Sequence, residues 1–123
     1  MLDVRDEVVF LSGPMGGIPD SNAGEFARVE RELYAMGAIL VYNPSVRLAM
    51  WHGRRQGWTP EQLSLRALSE LCAHTVSHDG TIRRTYDLMV QLDGWERHHG
   101  CVTEAHVADS VGIPRVDASE LRL

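Results

Sequence analysis

The stretch that decides the fold is "EVVFLSGPMGGIPDSNAGEF", residues 7–26, which joins an apolar run to a helix signal through a loop rich in glycine and proline. A short apolar run that ends in turn residues is typical of a strand buried on both faces, so we predict a first strand at about Val8 to Leu11. Asn22 is placed to cap a helix, with Glu25 three positions further on. The stretch therefore predicts a strand, a loop and a helix in that order.

The following residues extend this unit to a second strand. The predicted helix carries an apolar stripe at helical spacing, formed by Phe26, Val29, Leu33 and Met36. Gly37 ends the helix, and "AILVYNP" predicts a strand that stops at Pro44. Because a crossover between two strands of one sheet is right-handed, the two strands are predicted to pair in parallel.

A second helix is predicted after a stretch with weak signals. Ser45 to Trp58 is interpreted as an irregular excursion, of the kind that often serves a site. "TPEQ" then opens a helix, with Thr59 as its cap, Pro60 at the first helical position and Gln62 completing a capping box. The buried side of this helix is predicted to consist of Leu63, Ala67, Leu68, Leu71 and Cys72.

The last third of the chain continues the alternation. "DLMVQL" predicts a third strand, which precedes the turn "DGWERHHG". A helix is predicted over roughly Val102 to Val111, closed by Gly112, and "IPRV" predicts a short fourth strand. Strands that alternate with helices predict a doubly wound α/β sheet, with the ligand at the carboxyl ends of the strands.

Length and composition limit the class of protein. Residues 1–123 suffice for one domain with a real core and are too few for two. A net charge of −5 with 44% hydrophobic residues fits a soluble globular protein and argues against binding of duplex nucleic acid, which favours a basic surface. No apolar run approaches a membrane span, and "MLDVRDE" is too charged for a signal peptide, so we expect a cytoplasmic protein with a small-molecule partner.

Cysteine and lysine usage narrows the chemistry. Cys72 and Cys101 fit no metal or redox spacing and are predicted to be reduced. The chain has twelve arginines and no lysine, which excludes Schiff-base catalysis and the lysine-bearing phosphate loop. Acid-base or covalent chemistry must come from Asp, Glu, His, Ser, Tyr or Cys.

Glu104 is the most informative single residue. Val107, Ala108 and Val111 stand three, four and seven positions beyond it, so the carboxylate is predicted to face the sheet from the first turn of the last helix. One interpretation is an acidic residue that complements the helix dipole. The other is a carboxylate nucleophile kept ionised by that dipole beside the crevice at the strand ends.

Three aspartates bracket the third strand. Asp87 would start it, where a surface turn or a structural hydrogen bond is the simpler interpretation. Asp93 stands at its carboxyl end and is better placed for a ligand, although "DG" is also an ordinary turn. Asp79 precedes Gly80 and looks locally like another turn.

The histidines do not predict a metal site. His74 and His78, or His98, His99 and His106, lack an evident third ligand and its supporting shell. Trp95 lies in a turn where a base could stack, whereas Trp51 and Trp58 are more simply explained by packing.

The loop after the first strand fits neither G-x-G-x-x-G nor G-x-x-x-x-G-K-[ST]. It offers several amides beside a helix N-terminus, a generic place to hold an anion or a sugar. Its length of about eleven residues exceeds the usual two to six for such a junction, which favours a functional loop.

Three quoted segments together resemble the nucleoside 2-deoxyribosyltransferase family, especially its compact phage-associated branch of uncharacterised proteins. They are "FLSGPMGGIPDSNAGEF", "GAILVYNP" and "DLMVQLDGWERHHGCVTEAHVADSVGIPRV". The shared pattern is a strand, G-P-M-x-G-x-P-x-x-N, a helix, Gly, a strand and N-P, and later Asp, a strand, G-W-E, Gly and a Glu four residues beyond. The match covers about two thirds of the chain and omits Ser45 to roughly Val76.

The resemblance implies a flavodoxin-like (Rossmann-like) single domain with a parallel sheet of four or five strands. It also implies cleavage of the N-glycosidic bond of a (deoxy)nucleoside or its 5'-monophosphate, with transfer to water or to another base. Glu104 takes the position of the nucleophilic glutamate, and Asp79 that of an aspartate that handles the leaving base. Neither a metal nor a cofactor is implied.

The same resemblance assigns binding residues. Those matched to the loop around the sugar are Gly13, Pro14, Met15 and Gly17, and those matched to the strand start and the second substrate loop are Asp87, Gly94, Trp95 and Gly100. His98 stands where relatives carry a phosphate-binding serine, and Phe10 where they carry a tyrosine that orients the nucleophile, unless Tyr42 or Tyr86 supplies that hydroxyl.

Relatives form homodimers or higher homo-oligomers, so an assembly of identical chains is expected. Two alternatives stay open. The first is a non-catalytic module of phage or prophage origin that binds a nucleotide or sugar-phosphate, and its distinguishing feature is Phe10 in place of tyrosine. The second is a phage-derived protein whose partner is a host protein.

Overall fold

The centre of the protein is a parallel β-sheet, seen in a computed structural model that describes residues 3–47 and 59–121. Its strands, in the spatial order β2-β1-β5-β6, are β1 (Val8–Ser12), β2 (Leu40–Tyr42), β5 (Leu88–Gln91) and β6 (Arg115–Asp117). The helices described over their whole length are α1 (Ala23–Ala35), α2 (Pro60–Leu71) and α3 (His99–Ser110). Residues 44–47 are also helical, so the predicted excursion does not begin as an irregular segment. The predicted α/β class, a parallel sheet of four strands flanked by helices, is confirmed.

Each face of the sheet carries its own core, because successive residues of a strand point to opposite faces. The core shared with α1 includes Val9, Leu11, Phe26, Val29, Leu33, Leu88 and Val90. The core shared with α2 and α3 includes Phe10, Tyr42, Leu71, Met89 and Ala108. Residues 10 and 89 thus face α3, whereas residues 9 and 88 face α1.

The strand-loop-helix-strand unit at the start of the chain is confirmed, including the parallel pairing of β1 with β2. Gly37, directly after α1, has φ +100°, a conformation that favours glycine, and it ends the helix as predicted. The predicted role of Asn22 is wrong in one respect. Asn22 precedes α1, but it has φ +63° and its side chain makes no capping hydrogen bond, because it is the last of three successive left-handed residues, 20–22.

The capping box of α2 is confirmed in both directions. Thr59 Oγ1 accepts a hydrogen bond from the Gln62 backbone, and Gln62 Oε1 accepts one from the Thr59 backbone. Cys72 is exposed, so its predicted burial is wrong, since the buried stripe of α2 ends at Leu71. Residues 48–58, most of the predicted excursion, lie outside the described residues.

An antiparallel hairpin, which the sequence does not reveal, lies between α2 and β5 along the chain. Its strands are β3 (His74–Val76) and β4 (Ile82–Arg84), and all six of their residues are exposed. A strand exposed on both faces has no alternation of polar and apolar residues to detect. The strand predicted as the third is therefore the fifth, β5.

Helix α3 begins earlier than predicted. It starts at His99 instead of Val102, which places Glu104 in the second turn. It ends before Gly112, which has φ +78°. Val111 is 45% exposed, so its predicted place on the face toward the sheet is wrong.

No helix within residues 3–47 and 59–121 is long and apolar enough to cross a membrane.

Candidate active site

A crevice is expected where β1 and β5 end side by side. After β1 the chain continues to α1 on one face of the sheet, and after β5 it continues to α3 on the other. Ligands of open α/β sheets bind at such a switch point, outside the carboxyl ends of the strands. Ser12 and Gln91 are the last residues of β1 and β5 and are partners in the register of the two strands.

The two loops that leave this point touch one another. A Cβ on Gly13 would lie 2.8 Å from Leu92 Cβ and 3.1 Å from the Phe26 ring, so only glycine fits there. One step further out, a Cβ on Gly94 would lie 3.6 Å from Pro14 Cγ. The first loop is thus held against the second, and Gly13 acts at this contact through packing.

The remaining residues of the first loop differ in exposure. Pro14 is buried, and Met15 is partly buried against the core shared with α1. Gly17 is exposed, with φ +77° and no atom near its potential Cβ. Of these three residues, Gly17 is therefore the one whose backbone is most open to a ligand.

Glu104 reaches the carboxyl end of β1 from α3. Its Oε1 accepts a hydrogen bond from Ser12 Oγ at 2.7 Å. Burial raises the pKa of Glu104 to about 7, while the Ser12 hydroxyl acts in the opposite direction. The predicted place of Glu104 in the first turn is wrong: the helix begins at His99, so Glu104 lies in the second turn, where the helix N-terminus has less effect and burial dominates the pKa.

The second oxygen of Glu104 has a different environment. Among the described residues, no hydrogen-bond donor contacts Oε2. One oxygen is thus fixed by the end of β1, and the other has no hydrogen-bond partner among the described residues. This is the arrangement that a carboxylate nucleophile needs.

An aromatic cluster takes the place of the expected tyrosine hydroxyl. Phe10 stacks on Tyr42 with ring centroids 4.7 Å apart, and Tyr86 meets Phe10 edge-on at 5.3 Å. Neither tyrosine hydrogen-bonds Glu104, and no described residue pairs with the Tyr42 hydroxyl. Burial raises the pKa of Tyr42, with smaller contributions from Glu70 and Glu104, so Tyr42 stays neutral.

Ser12 carries the hydroxyl that contacts Glu104, and it is not among the residues predicted from the sequence. It lies two residues after Phe10 on the same face of β1, and it is fully buried. The available signal was the alternation of Val9 and Leu11 with Phe10 and Ser12, which places a hydroxyl on the face toward α3 at the end of the strand.

Asp87 lies at the opposite end of the sheet from Glu104. Its Oδ2 accepts a hydrogen bond from the Val8 backbone at 2.9 Å, and its own amide donates to Val8 O at 2.8 Å. These contacts join the amino ends of β1 and β5. Asp87 therefore has the structural role that its position at the strand start suggested, and the structure does not bring it to the crevice.

Asp79 lies in the turn of the β3–β4 hairpin, not in the helix that the resemblance implies. It accepts hydrogen bonds from the Ser77 hydroxyl and from the Thr81 amide, the latter at 3.0 Å. These hydrogen bonds lower its pKa to about 2, so it is ionised at neutral pH. Asp79 is exposed, and the structure does not bring it to Glu104 within one chain.

Trp95 packs outward in the second loop. Its Nε1 donates to Asp117 Oδ1 at 3.1 Å, and the Arg115 guanidinium lies 5.5 Å from the centre of its ring. Arg115 also pairs with Asp109 and donates to Gln91 Oε1. The indole is thus held against β6, at the edge of a cavity of about 280 Å³.

The other residues of the second loop are accessible. Asp93 is exposed directly beyond Leu92, His98 is partly exposed at the start of α3, and Gly100 is exposed with no atom near its potential Cβ. Gly94 has φ +87°, which explains the glycine at this sharp turn. These residues border the same end of the sheet as Glu104.

Within the part of the chain that the structure describes, no group of three or more His, Cys, Asp or Glu side chains is arranged to hold a metal ion. Cys101 is free and buried on α3, and burial raises its pKa to about 11.

Comparison with known proteins identifies a family. Residues 7–117 match the family described as Domain of unknown function (DUF4406). Searches of curated proteins and of solved structures gave no significant match. The match spans β1 to β6 and includes both loops and Glu104, so the chain belongs to the DUF4406 family.

Proposed function

We propose that this protein cleaves the N-glycosidic bond of a nucleoside or a nucleoside 5'-monophosphate, with Glu104 as the nucleophile. The observation that carries the proposal is the state of the Glu104 carboxyl group at the switch point of the sheet. One oxygen is held by Ser12, the other has no partner among the described residues, and the pKa lies near neutrality.

The chemistry follows from these properties. As the bond between the anomeric carbon and the base nitrogen breaks, its electron pair leaves with the base and the sugar becomes oxocarbenium-like. Glu104 Oε2 then bonds to the anomeric carbon as a glycosyl ester. Water or a second base displaces the ester, which regenerates the carboxylate, and the departed base takes a proton from solvent or from an acid.

The Ser12 hydrogen bond assists this sequence in two ways. It fixes the carboxyl group in one orientation, which lowers the entropic cost of attack. It also favours the charged form of a group that burial disfavours. Approach of the positive charge on the sugar adds to this effect, so the carboxylate is most stabilised when the reaction needs it.

The sugar is proposed to lie between the first loop and the second. Gly17 offers open backbone on one side, and His98 and Gly100 lie at the start of α3 on the other. His98 and Arg97 are the groups proposed to contact a 5'-phosphate. Gly13, Pro14 and Gly94 are proposed to keep the two loops at a fixed separation.

The decisive experiment is an incubation with a panel of ribo- and deoxyribonucleosides and their 5'-monophosphates, with chromatography of the free base. Glu104→Gln is expected to abolish release, whereas Glu61→Gln, which changes an exposed glutamate on α2, is expected to leave it unchanged. Rapid acid quench followed by peptide mass spectrometry is expected to find one glycosyl group on Glu104. If no substrate releases base faster with the parent than with Glu104→Gln, the proposal is wrong.

A non-catalytic binding module is the alternative, and one observation favours it. Among residues 3–47 and 59–121, no second carboxylate contacts Glu104 to act on the leaving base. Calorimetry that detects tight nucleotide binding without turnover would select this alternative.

A homo-oligomer is also proposed, because two exposed surfaces carry large apolar side chains. One is the edge strand β2 with Ile39, 61% exposed, and Leu40; the other is the β3–β4 hairpin with Val76 and Ile82, the latter 70% exposed. An assembly that covers the hairpin would be a route by which Asp79 acts in the crevice of a neighbouring copy. Light scattering gives the test, and a monomer at assay concentration would rule out that route.

A further inference from the structure

Gln91 carries a buried polar group that the chemistry above does not use. Its side chain is 1% exposed, and its Nε2 has no hydrogen-bond partner among the described residues. Leaving such a donor unpaired costs about 1–3 kcal/mol of folding free energy. A hydrogen-bond acceptor that reaches Gln91 Nε2 only in another protonation state of the site would explain this unpaired donor.

The orientation of the amide is fixed by Arg115. Gln91 Oε1 accepts a hydrogen bond from Arg115 Nη1 at 2.9 Å, and a guanidinium can only donate, so the oxygen must face β6. Arg115 is itself held by Asp109, through contacts of 2.8 and 3.0 Å to the two carboxylate oxygens. The amide cannot flip without breaking this chain, and its nitrogen is directed away from β6.

The position of Gln91 places its side chain on the same face of the sheet as Ser12. Gln91 and Ser12 are register partners on adjacent strands. Two register pairs earlier, Phe10 and Met89 face the core shared with α3, and every second residue of a strand points to the same face. Ser12 and Gln91 form the last register pair of β1 and β5, and both residues are buried. Ser12 contacts Glu104 of α3 from this position.

We propose that Gln91 is a second positioning residue for Glu104, and that its Nε2 donates a hydrogen bond to the Glu104 carboxylate when that group is ionised. Ser12 and Gln91 would then hold the carboxylate from two neighbouring strands. The use of that carboxylate as a nucleophile rests on the proposed function, whereas the hydrogen bond itself does not.

The surrounding charges favour this contact. The Arg115 cation withdraws electron density from the Gln91 carbonyl, which makes the amide N–H a stronger donor. Among the described residues, the titratable groups that interact with Glu104 are Tyr42 of β2 and Cys101, which lies on α3 with Glu104, and both have raised pKa values, so both are neutral at pH 7. Within residues 3–47 and 59–121 no cation contacts the Glu104 carboxylate, so neutral donors remain to stabilise its charge there.

The first test needs no variant and no substrate. The chain has three glutamines and two asparagines, so a ¹⁵N–¹H spectrum of the side-chain amides contains five pairs of signals. The Gln91 pair is expected to shift downfield as the pH rises, with the same midpoint as the ¹³C signal of the Glu104 carboxyl. A Gln91 pair that does not follow Glu104 would overturn the proposal.

Variants give the second test through the Glu104 titration midpoint. Gln91→Met is expected to raise the midpoint by about one pH unit, and Arg115→Met, which only releases the amide, to raise it less. Gln62→Met, which removes an exposed amide on α2, is the control and is expected to leave it unchanged. An unchanged midpoint in Gln91→Met would overturn the proposal.

The two proposals fail separately. If Gln91 titrates with Glu104 while no substrate releases base, the positioning role stands and the proposed function falls. If base is released while the Gln91 signals stay constant through the titration, the proposed function stands and the positioning role falls.

Discussion

Ser12 on β1 donates a hydrogen bond to Glu104 on α3 across 2.7 Å, and the two residues are 92 positions apart in the chain. The contact joins the end of the first strand to the last helix, at the point where the loops of the crevice begin. It also favours the charged form of the residue on which the proposed chemistry depends, against the larger effect of burial.

Replacement of Ser12 should alter that ionisation. Ser12→Ala removes the hydrogen bond that favours the charged form, so the pKa of Glu104 should rise above about 7. A hydrogen bond to a charged group contributes about 1.5–3 kcal/mol, so a rise of about one pH unit or more is expected in a ¹³C titration. Ser64→Ala on the exposed side of α2 is the control, and an equal midpoint in both variants would contradict the prediction.

The pH dependence of stability follows from the same carboxyl group. Its pKa is about 7 in the folded protein, against 4.5 in the unfolded chain. Between these values the unfolded state loses its proton first, so the free energy of unfolding should fall as pH rises from 4.5 to 7 and then level off. A pKa shift of this size lowers the free energy of unfolding above pH 7 by about 3 kcal/mol relative to its value below pH 4.5.

Glu104→Gln removes that dependence. In urea unfolding the variant should exceed the parent in stability at pH 8 and approach it at pH 4.5. A parent protein that is no less stable at pH 8 than the variant would show that Glu104 ionises without penalty in the folded state.

Gly13 should tolerate no side chain. Gly13→Ala places a Cβ 2.8 Å from Leu92 Cβ, between two packed loops, and should lower the free energy of unfolding by about 1–3 kcal/mol. Gly16→Ala in the same loop is the matched control, because no atom lies within 4 Å of its Cβ position. Equal urea midpoints for the two variants would mean that the loops separate easily.

Asp87 should act on stability and not on substrate. Asp87→Ala leaves the Val8 amide without its side-chain partner and should destabilise the fold by about 1–3 kcal/mol. At a temperature well below the melting point, kcat/KM for base release should stay near the parent value. A folded Asp87→Ala protein without activity would place this residue in the reaction after all.

The sequence predicts the sheet better than it predicts the site. Each sheet strand has a buried apolar run or a turn signal, so β1, β2, β5 and β6 were all predicted near their observed positions. The sequence does not predict the hairpin because its strands bury neither face. It predicts too late a start for α3 because His99 and Gly100 resemble a turn. Local sequence patterns indicate which residues are buried, and the residues of these two segments are exposed.

The site depends on contacts that no local pattern encodes. Glu104 was singled out by helical spacing, but its raised pKa comes from burial beneath residues distant in the chain. Ser12 and Gln91 become partners only through strand pairing, and each looks unremarkable in its own segment. The role of Asp79 is predicted from the resemblance alone. The structure places Asp79 in a hairpin turn, where the resemblance implies a helix.

The strand order also has a consequence for synthesis of the chain. β1 is an interior strand whose second neighbour, β5, begins at Leu88, so a nascent chain can pair β1 with β2 long before it can complete the sheet. Topologies with such sequence-distant pairing fold slowly, and until then one edge of β1 stays open to pairing with other chains. Pulse-labelled hydrogen exchange should therefore find β1 protected in the same kinetic phase as β5, later than α1. Aggregation during expression would then originate at β1, which is synthesised long before β5 pairs with its second edge.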